Sequence, residues 1–213
     1  LLGKDHADVI RTYNEMGNAY LYQQMNIEAI EYYKKALEIR IEKLGKDHSS
    51  LAPTYHYIGS IYFLEGQINE AISSFESAIE IWNKCSQQDP LVFSGCLLDL
   101  ARCFMNKGLA YKAIPLYLQA ENIKINIVGK NSAEIANLYS WVGTAYLENR
   151  QFKEAINYYE KARQIFNNRE NSQLEVALLY EKIGICYSSE NQMEKALEYH
   201  QKASEIRKKY FGK

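Results

Sequence analysis

The sequence predicts an all-α solenoid, one array built from five copies of a helix pair. Three observations predict it. Small residues recur at Gly17, Gly59, Ala101, Gly143 and Gly184, and a second series recurs at Ala36, Ala78, Ala120, Ala162 and Ala203. Both series step by 42, 42, 42 and 41 residues. A fixed period of that length means stacked units, each burying its apolar face against its neighbours. Within each copy the apolar and small residues stand three and four apart, which places them on one face of a helix.

Each copy reads as two helices. Asp5, Asp47, Asp89, Asn131 and Ser172 stand where the first helix of each copy needs an N-cap. Glu134 and Glu175 follow three residues later, the spacing of a capping box. Pro90 directly follows Asp89, and a proline at the first helical position loses no hydrogen bond. In the first copy this helix runs to about Tyr22 and the second starts near Ile27, continuing past Ile39. Polar breakers separate the pair in every copy: Gln23-Gln24, Glu65-Gly66, Lys107-Gly108, Asn149-Arg150 and Glu190-Asn191. Pro53 falls several residues into a predicted first helix, so it should kink that helix or delay its start. Pro115 comes early in a second helix, where one backbone bond at most is lost.

The faces of the two helices match. In the second helix Ala29, Tyr33 and Ala36 share a face, as do Ala71, Phe75, Ala78; Ala113, Tyr117, Ala120; Ala155, Tyr159, Ala162; and Ala196, His200, Ala203. The first helix offers Tyr13, Gly17, Tyr20; Tyr55, Gly59, Tyr62; Tyr139, Gly143, Tyr146; and Tyr180, Gly184, Tyr187. A glycine inside a helix costs roughly 1 kcal/mol against alanine. Its recurrence within one chain therefore points to a steric need for close approach.

This order of aromatic, glycine, aromatic, alanine, aromatic and alanine resembles the tetratricopeptide repeat, and the resemblance covers essentially the whole chain. The linkers Leu2-Gly3-Lys4-Asp5-His6 and Leu44-Gly45-Lys46-Asp47-His48, echoed by Val128-Gly129-Lys130-Asn131-Ser132, resemble the 42-residue subtype of kinesin light chains. The resemblance implies a right-handed superhelix of five antiparallel helix pairs, with copies at about 2–43, 44–85, 86–127, 128–168 and 169–210. The third copy departs most, with Leu97 and Ala101 replacing the aromatic and the glycine. The chain opens and closes at the same point of the repeat, on Leu2-Gly3-Lys4 and Phe211-Gly212-Lys213, so it reads as a slice of a longer protein.

Composition narrows the function. A formal net charge of -1 argues against nucleic acid or an acidic membrane as partner, since both need a basic surface. No run approaches about 18 apolar residues, which excludes a transmembrane helix. The cysteines Cys85, Cys96, Cys103 and Cys186 form no CxxC, and read as free thiols of a reducing, cytoplasmic protein. The histidines His6, His48, His56 and His200 are scattered, so no metal or cofactor site is expected. No phosphate-binding glycine loop, HExxH or GxSxG is present. The carboxylates, such as Glu31 with Lys35 and Glu198 with Lys202, read as a solvated helix face. The chain is not expected to be an enzyme.

What remains is the inner groove. The resemblance implies that the first helices line it, with exposed positions three before, two before and one after the repeat glycine. Those positions hold Asn14, Glu15 and Asn18; His56, Tyr57 and Ser60; Leu98, Asp99 and Arg102; Ser140, Trp141 and Thr144; and Glu181, Lys182 and Ile185. Phe63 lies one turn further along. Trp141 is the chief candidate anchor, because its equivalents are Glu15, Tyr57, Asp99 and Lys182 rather than tryptophan. Arg102 is the candidate partner for an acidic ligand residue. Trp82, at the end of a second helix, is expected to pack on the third copy. The family's clamp for a terminal carboxylate is missing its basic and amide residues, and so are the paired groove asparagines of kinesin light chains. The expected function is a scaffold that binds a peptide segment or partner helix. The alternative is a regulatory or targeting module of a larger enzyme or motor-associated protein. Leu197, Tyr199 and Ile206 on the last helix also predict weak end-to-end self-association.

Overall fold

A computed structural model describes residues 6–85 and 89–212. The expected cap at Asp5 and the linker at 86–88 lie outside the described residues. The described residues form ten α-helices: α1 His6–Tyr22, α2 Asn26–Leu44, α3 Ala52–Leu64, α4 Ile68–Lys84, α5 Pro90–Asn106, α6 Ala110–Val128, α7 Ala133–Glu148, α8 Phe152–Asn167, α9 Gln173–Ser189 and α10 Met193–Phe211. A 3-10 turn, Ser49–Leu51, precedes α3, and no strand occurs among the described residues. The chain divides into two compact units, Leu1–Asn106 with α1 to α5 and Lys107–Lys213 with α6 to α10. In the first unit α1 pairs with α2 and α3 with α4, while α5 packs on α4. In the second unit α6 packs on α7, α7 pairs with α8, α8 packs on α9 and α9 pairs with α10.

Close approach explains the repeat glycines. A Cβ added to Gly17, Gly59, Gly143 or Gly184 would stand 2.7–2.9 Å from the ring of Tyr33, Phe75, Tyr159 or His200 respectively. Each glycine thus leaves room for the aromatic that sits between the two alanines of the paired helix. Beside this contact runs a second stripe at spacings of three, four and three. It is Phe93, Cys96, Leu100 and Cys103 in α5, Ile135, Leu138, Val142 and Ala145 in α7, and Val176, Leu179, Ile183 and Cys186 in α9, all buried. In the first unit Leu51, Thr54, Ile58 and Ile61 hold these places, and the buried Thr54 hydroxyl accepts from Arg40 Nη1 at 2.6 Å.

The turn inside each pair closes by a common device. Gln24, Gly66, Gly108, Arg150 and Asn191 all adopt positive φ, between 59° and 73°. Around four of them the backbone makes a two-bond C-terminal cap, as in Met25 N–H to Tyr20 C=O and Gln24 N–H to Leu21 C=O at 2.9 Å each. These bonds satisfy carbonyls that the helix end leaves unpaired. The linker glycines have a different cause. Gly45 and Gly129 sit at φ 85°, ψ 159° and φ 78°, ψ 150°, a region open essentially to glycine alone. That conformation is the physical content of the Leu-Gly-Lys motif.

The caps depart from expectation at several places. Asp89 does cap α5, accepting from Leu91 and Val92 N–H at 2.9 and 3.3 Å. Asp47 does not cap: His48 accepts from Ser50 N–H, and Asp47 pairs with Lys84 at 2.8 Å. Pro53 delays α3 to Ala52, and the 3-10 turn fills the gap. Ser132, not Asn131, caps α7 through Ile135 N–H, so Glu134 falls one place short of a capping box and lies 3.5 Å from Lys124. Ser172 stands at the start of α9 without a side-chain cap bond. Lys35 lies over the Tyr32 ring rather than on Glu31, whereas Glu198 and Lys202 do pair.

Burial decides the state of the thiols. Cys96, Cys103 and Cys186 are buried and Cys85 is half-exposed. Burial pushes the Cys103 thiol up to about 12 and that of Cys186 up to about 11, and raises Cys96 as well. Raised thiols stay protonated near neutral pH and react slowly. Iodoacetamide at pH 7.5 should therefore alkylate Cys85 in the folded protein and spare the other three until it is unfolded. Mass spectrometry of the labelled protein checks this, and equal labelling of Cys96 would contradict the burial described.

Candidate functional site

In the first unit the first-helix surface gathers five of the predicted residues. His56 on α3 and Asp99 on α5 are joined by His56 Nε2 and Asp99 Oδ2 at 3.0 Å. An ionised carboxylate only accepts, so this nitrogen carries the proton. The other carboxylate oxygen accepts from Arg102 Nη1 at a long 3.4 Å. The guanidinium also lies over the Phe63 ring, 5.2 Å from its centre. Arg102 is thus held on one side by Asp99 and Phe63 and stays exposed on the other. Tyr57 is 59% exposed. Its ring stacks 6.3 Å from His56 and 6.4 Å from Tyr33.

His56 is more deeply set than a free groove residue. Its ring also lies 5.6 Å from Phe75 and 6.2 Å from Trp82. It is the bridge between an apolar wedge behind and a charged surface in front. Trp82 is buried and meets Phe93 edge-on at 5.8 Å, so it packs on α5 as expected. Leu98 corrects an expectation. It is buried, because its position on α5 turns toward the core and leaves Asp99 and Arg102 to face outward.

Asn18 and Thr144 have a role that the groove reading does not supply. Tyr33 Oη donates to Asn18 Oδ1 at 2.5 Å, and Tyr159 Oη donates to Thr144 Oγ1 at 3.2 Å. A buried phenol needs such a partner. In the second copy the aromatic is Phe75, and Ser60 turns its hydroxyl to His56 C=O at 3.0 Å instead. Polar residues just after the glycine therefore answer the hydroxyl of the tyrosine packed on it. The signal was in the sequence: Asn18 and Thr144 accompany Tyr33 and Tyr159. Asn14, also predicted, is half-buried one turn before Asn18 on α1.

In the second unit Trp141 projects from α7 and is 43% exposed. One turn on, Thr144 Oγ1 donates to Ser140 C=O at 2.9 Å and accepts from both Tyr159 and Lys182 Nζ, the latter at 2.9 Å. That uses the hydroxyl's one proton and two lone pairs. Lys182 on α9 also lies 5.5 Å from the centre of the Tyr159 ring. Burial lowers its pKa, against the pull of Glu148. Its neighbour Glu181 is held by Arg207 in a two-pronged ion pair, with Nη2 to Oε2 at 2.7 Å. Ile185 and Leu178 add exposed apolar surface on α9. Leu178 escaped the sequence reading because it lies outside the three positions chosen around the glycine. Its sequence signal is an apolar residue where α7 carries Asn137.

The arrangement offers exposed aromatic and cationic groups on the first-helix surfaces. Ser60, one turn along α3 from His56, donates its hydroxyl to a carbonyl of its own helix. Among the described residues no group of three or more His, Cys, Asp or Glu side chains could hold a metal ion. No described helix is long and apolar enough to cross a membrane.

Comparison with known proteins agrees with this architecture. No curated protein sequence matches the chain. Among solved structures, a Podosopora anserina protein of nearly identical TPR-like repeats, named for kinesin light chain, aligns at 20% identity with a TM-score of 0.77, covering 98% of this chain and 100% of that one. BtubC (BKLC) from P. vanneervenii aligns at 20% identity and 0.74, covering 96% and 82%. YrrB, described as a TPR protein with an unusual peptide-binding site, aligns at 20% and 0.68, covering 93% and 86%. Such likenesses establish the fold. The tetratricopeptide-repeat family model matches residues 2–84, 93–168 and 134–209. Those residues carry the four glycine-on-aromatic contacts described above, and the chain belongs to the tetratricopeptide-repeat family.

Proposed function

We propose that the chain is a non-catalytic interaction scaffold that binds a peptide segment or partner helix on the first-helix surfaces of its two units. The observation that carries this is the exposure of Trp141 and Tyr57, at a position where the other copies hold Glu15, Asp99 and Lys182. An aromatic that packing required would recur in every copy. One that appears in two copies and faces solvent suits partner recognition, where tryptophan and tyrosine are the commonest anchors. In the first unit His56, Ser60, Phe63, Asp99 and Arg102 surround Tyr57 with polar and cationic groups, beside Asn14 and Asn18 on α1. In the second, Ser140, Thr144 and Lys182 surround Trp141. The likeness to YrrB, a protein described by a peptide-binding site, supports the peptide reading.

The test is a pull-down with the wild-type chain against Trp141→Ala and Tyr57→Ala, followed by titration with the captured partner. Truncating an anchor should weaken binding by about 2 kcal/mol or more. Arg102→Gln should act mainly on association rate and salt dependence, as exposed interface charges do. Both aromatics are exposed, so the variants should fold as the parent does. A partner that crosslinks to the second helices, and binds Trp141→Ala as tightly as wild type, would refute the assignment.

A further inference from the structure

A cleft of about 420 Å³ in the second unit is lined by none of the residues around Trp141 described above. It opens between the α6–α7 linker, α7 and the end of α8. Three cations line it: Lys130, Lys161 and Arg169. Three amides, Asn131, Gln164 and Asn168, line it as well, with Tyr139 and Ile165. No carboxylate is among the lining residues, and none of the described ion pairs involves these three cations.

The other copies show what this place ordinarily holds. Gln164 corresponds to Glu38, Glu80 and Glu205, with Asn122 in the third copy. Asn131 corresponds to Asp5, Asp47 and Asp89, and Asn168 to Glu42 in the first copy. In the second copy the equivalents of Asn131 and Gln164, Asp47 and Glu80, both pair with Lys84, at 2.8 and 2.7 Å. That copy neutralises its cation internally. The fourth copy carries amides at these places, whereas the first copy, whose Lys4, Lys35 and Lys43 match the three cations, sets them beside Asp5, Glu38 and Glu42.

We propose that this cleft binds a phosphate monoester. Three uncompensated cations favour a group with two negative charges, and the amides supply directional donors to its oxygens. Lys161 is positioned by aromatic faces, its Nζ 4.2 Å from the centre of the Tyr158 ring and 5.5 Å from that of Tyr139. Gly129, in its glycine-only conformation, sets Lys130 and Asn131 at the mouth. The first turn of α7 starts at Ala133, and its positive end adds to the same field. The opposing end of α8 is partly quenched, because Ile165 and Phe166 C=O accept from Asn168 and Arg169 N–H. The phosphate could be that of a small metabolite or of a phosphorylated serine on a protein.

The experiment is a ¹⁵N-¹H NMR titration at constant ionic strength. The probes are inorganic phosphate, free phosphoserine, and a phosphoserine peptide with its unphosphorylated counterpart. Saturable shifts at Lys130, Asn168 and Arg169 are expected with the phosphorylated probes and not with the unphosphorylated peptide. A phosphopeptide about tenfold tighter than free phosphoserine identifies a protein source, and equal affinities identify a small ligand. Gln164→Glu restores the acid that three other copies carry, so it should fold normally and weaken phosphate binding about tenfold. Lys161→Gln should do the same. Shifts that do not saturate, or a Gln164→Glu variant that melts and binds as wild type, would overturn the proposal.

Discussion

Replacing Trp82 by alanine is expected to destabilise the first unit by about 3–5 kcal/mol, the range for removing a large buried aromatic. Trp82 is only 3% exposed and joins three helices. It rises from α4, meets Phe93 of α5 edge-on at 5.8 Å, and backs His56 of α3 at 6.2 Å. The cavity left by alanine would open on all three sides. Since a typical domain is stable by about 5–15 kcal/mol, this is a large share of the total. Thermal unfolding followed by circular dichroism should show a drop of about 6 °C or more. His56 would also lose its backing, so the His56–Asp99 contact should loosen and the imidazole resonances of His56 should broaden or shift. An unchanged melting curve would mean that α4 and α5 are not packed through this residue. Trp82→Phe, which keeps much of the apolar volume, should recover a good part of the loss.

Substituting Gly143 by leucine is expected to cost the second unit about 1–3 kcal/mol through overpacking. Even a Cβ at this position would stand 2.7 Å from two atoms of the Tyr159 ring. That ring is fully buried and its hydroxyl is tied to Thr144, so it cannot swing aside without breaking the bond. Gly95 provides the contrast. It lies inside α5, and the nearest atom to an added Cβ is His56 Cε1 at 3.9 Å, an ordinary contact. Gly95→Ala should therefore stabilise the chain, by up to about 1 kcal/mol, through helix propensity alone. Opposite signs at the two glycines would establish that close approach, and not glycine as such, governs the repeat. A melting temperature unaffected by Gly143→Leu would defeat that account.

Much of this was legible in the residue order. The period of 42 residues, the glycine opposite an aromatic and the alanines on either side of it determine the ten helices of the described residues. They do so because a helix has a fixed pitch and a glycine repeated at a cost must be answering a neighbour. The Leu-Gly-Lys linkers were legible for a similar reason, as φ near 80° with ψ near 155° admits little else. Cap placement was less so. Asp47 and Asn131 have the right chemistry for a cap, yet one is drawn to Lys84 and the other yields to Ser132, because a cap is chosen by where the helix starts and by which cation stands near. The partial burial of His56 and the burial of Leu98 were likewise hidden, since both depend on side chains of other helices that the local pattern does not name.

The sequence by itself determined the helix pairs, their period and the positions able to face a partner. These follow from local spacing and from the steric demands of glycine and proline. Only the tertiary structure decided which of those positions are spoken for. It gave Asn18 and Thr144 to buried tyrosine hydroxyls, Asp99 to His56 and Arg102, and Lys182 to Thr144, while leaving Trp141 and Tyr57 in solvent. It also brought Lys130, from the linker before α7, to Lys161 and Arg169 around one cleft. The physical reason is that hydrogen bonds and charges are satisfied in three dimensions, by groups contributed from neighbouring helices, and a repeat pattern read along one chain records such a pairing only where two positions vary together.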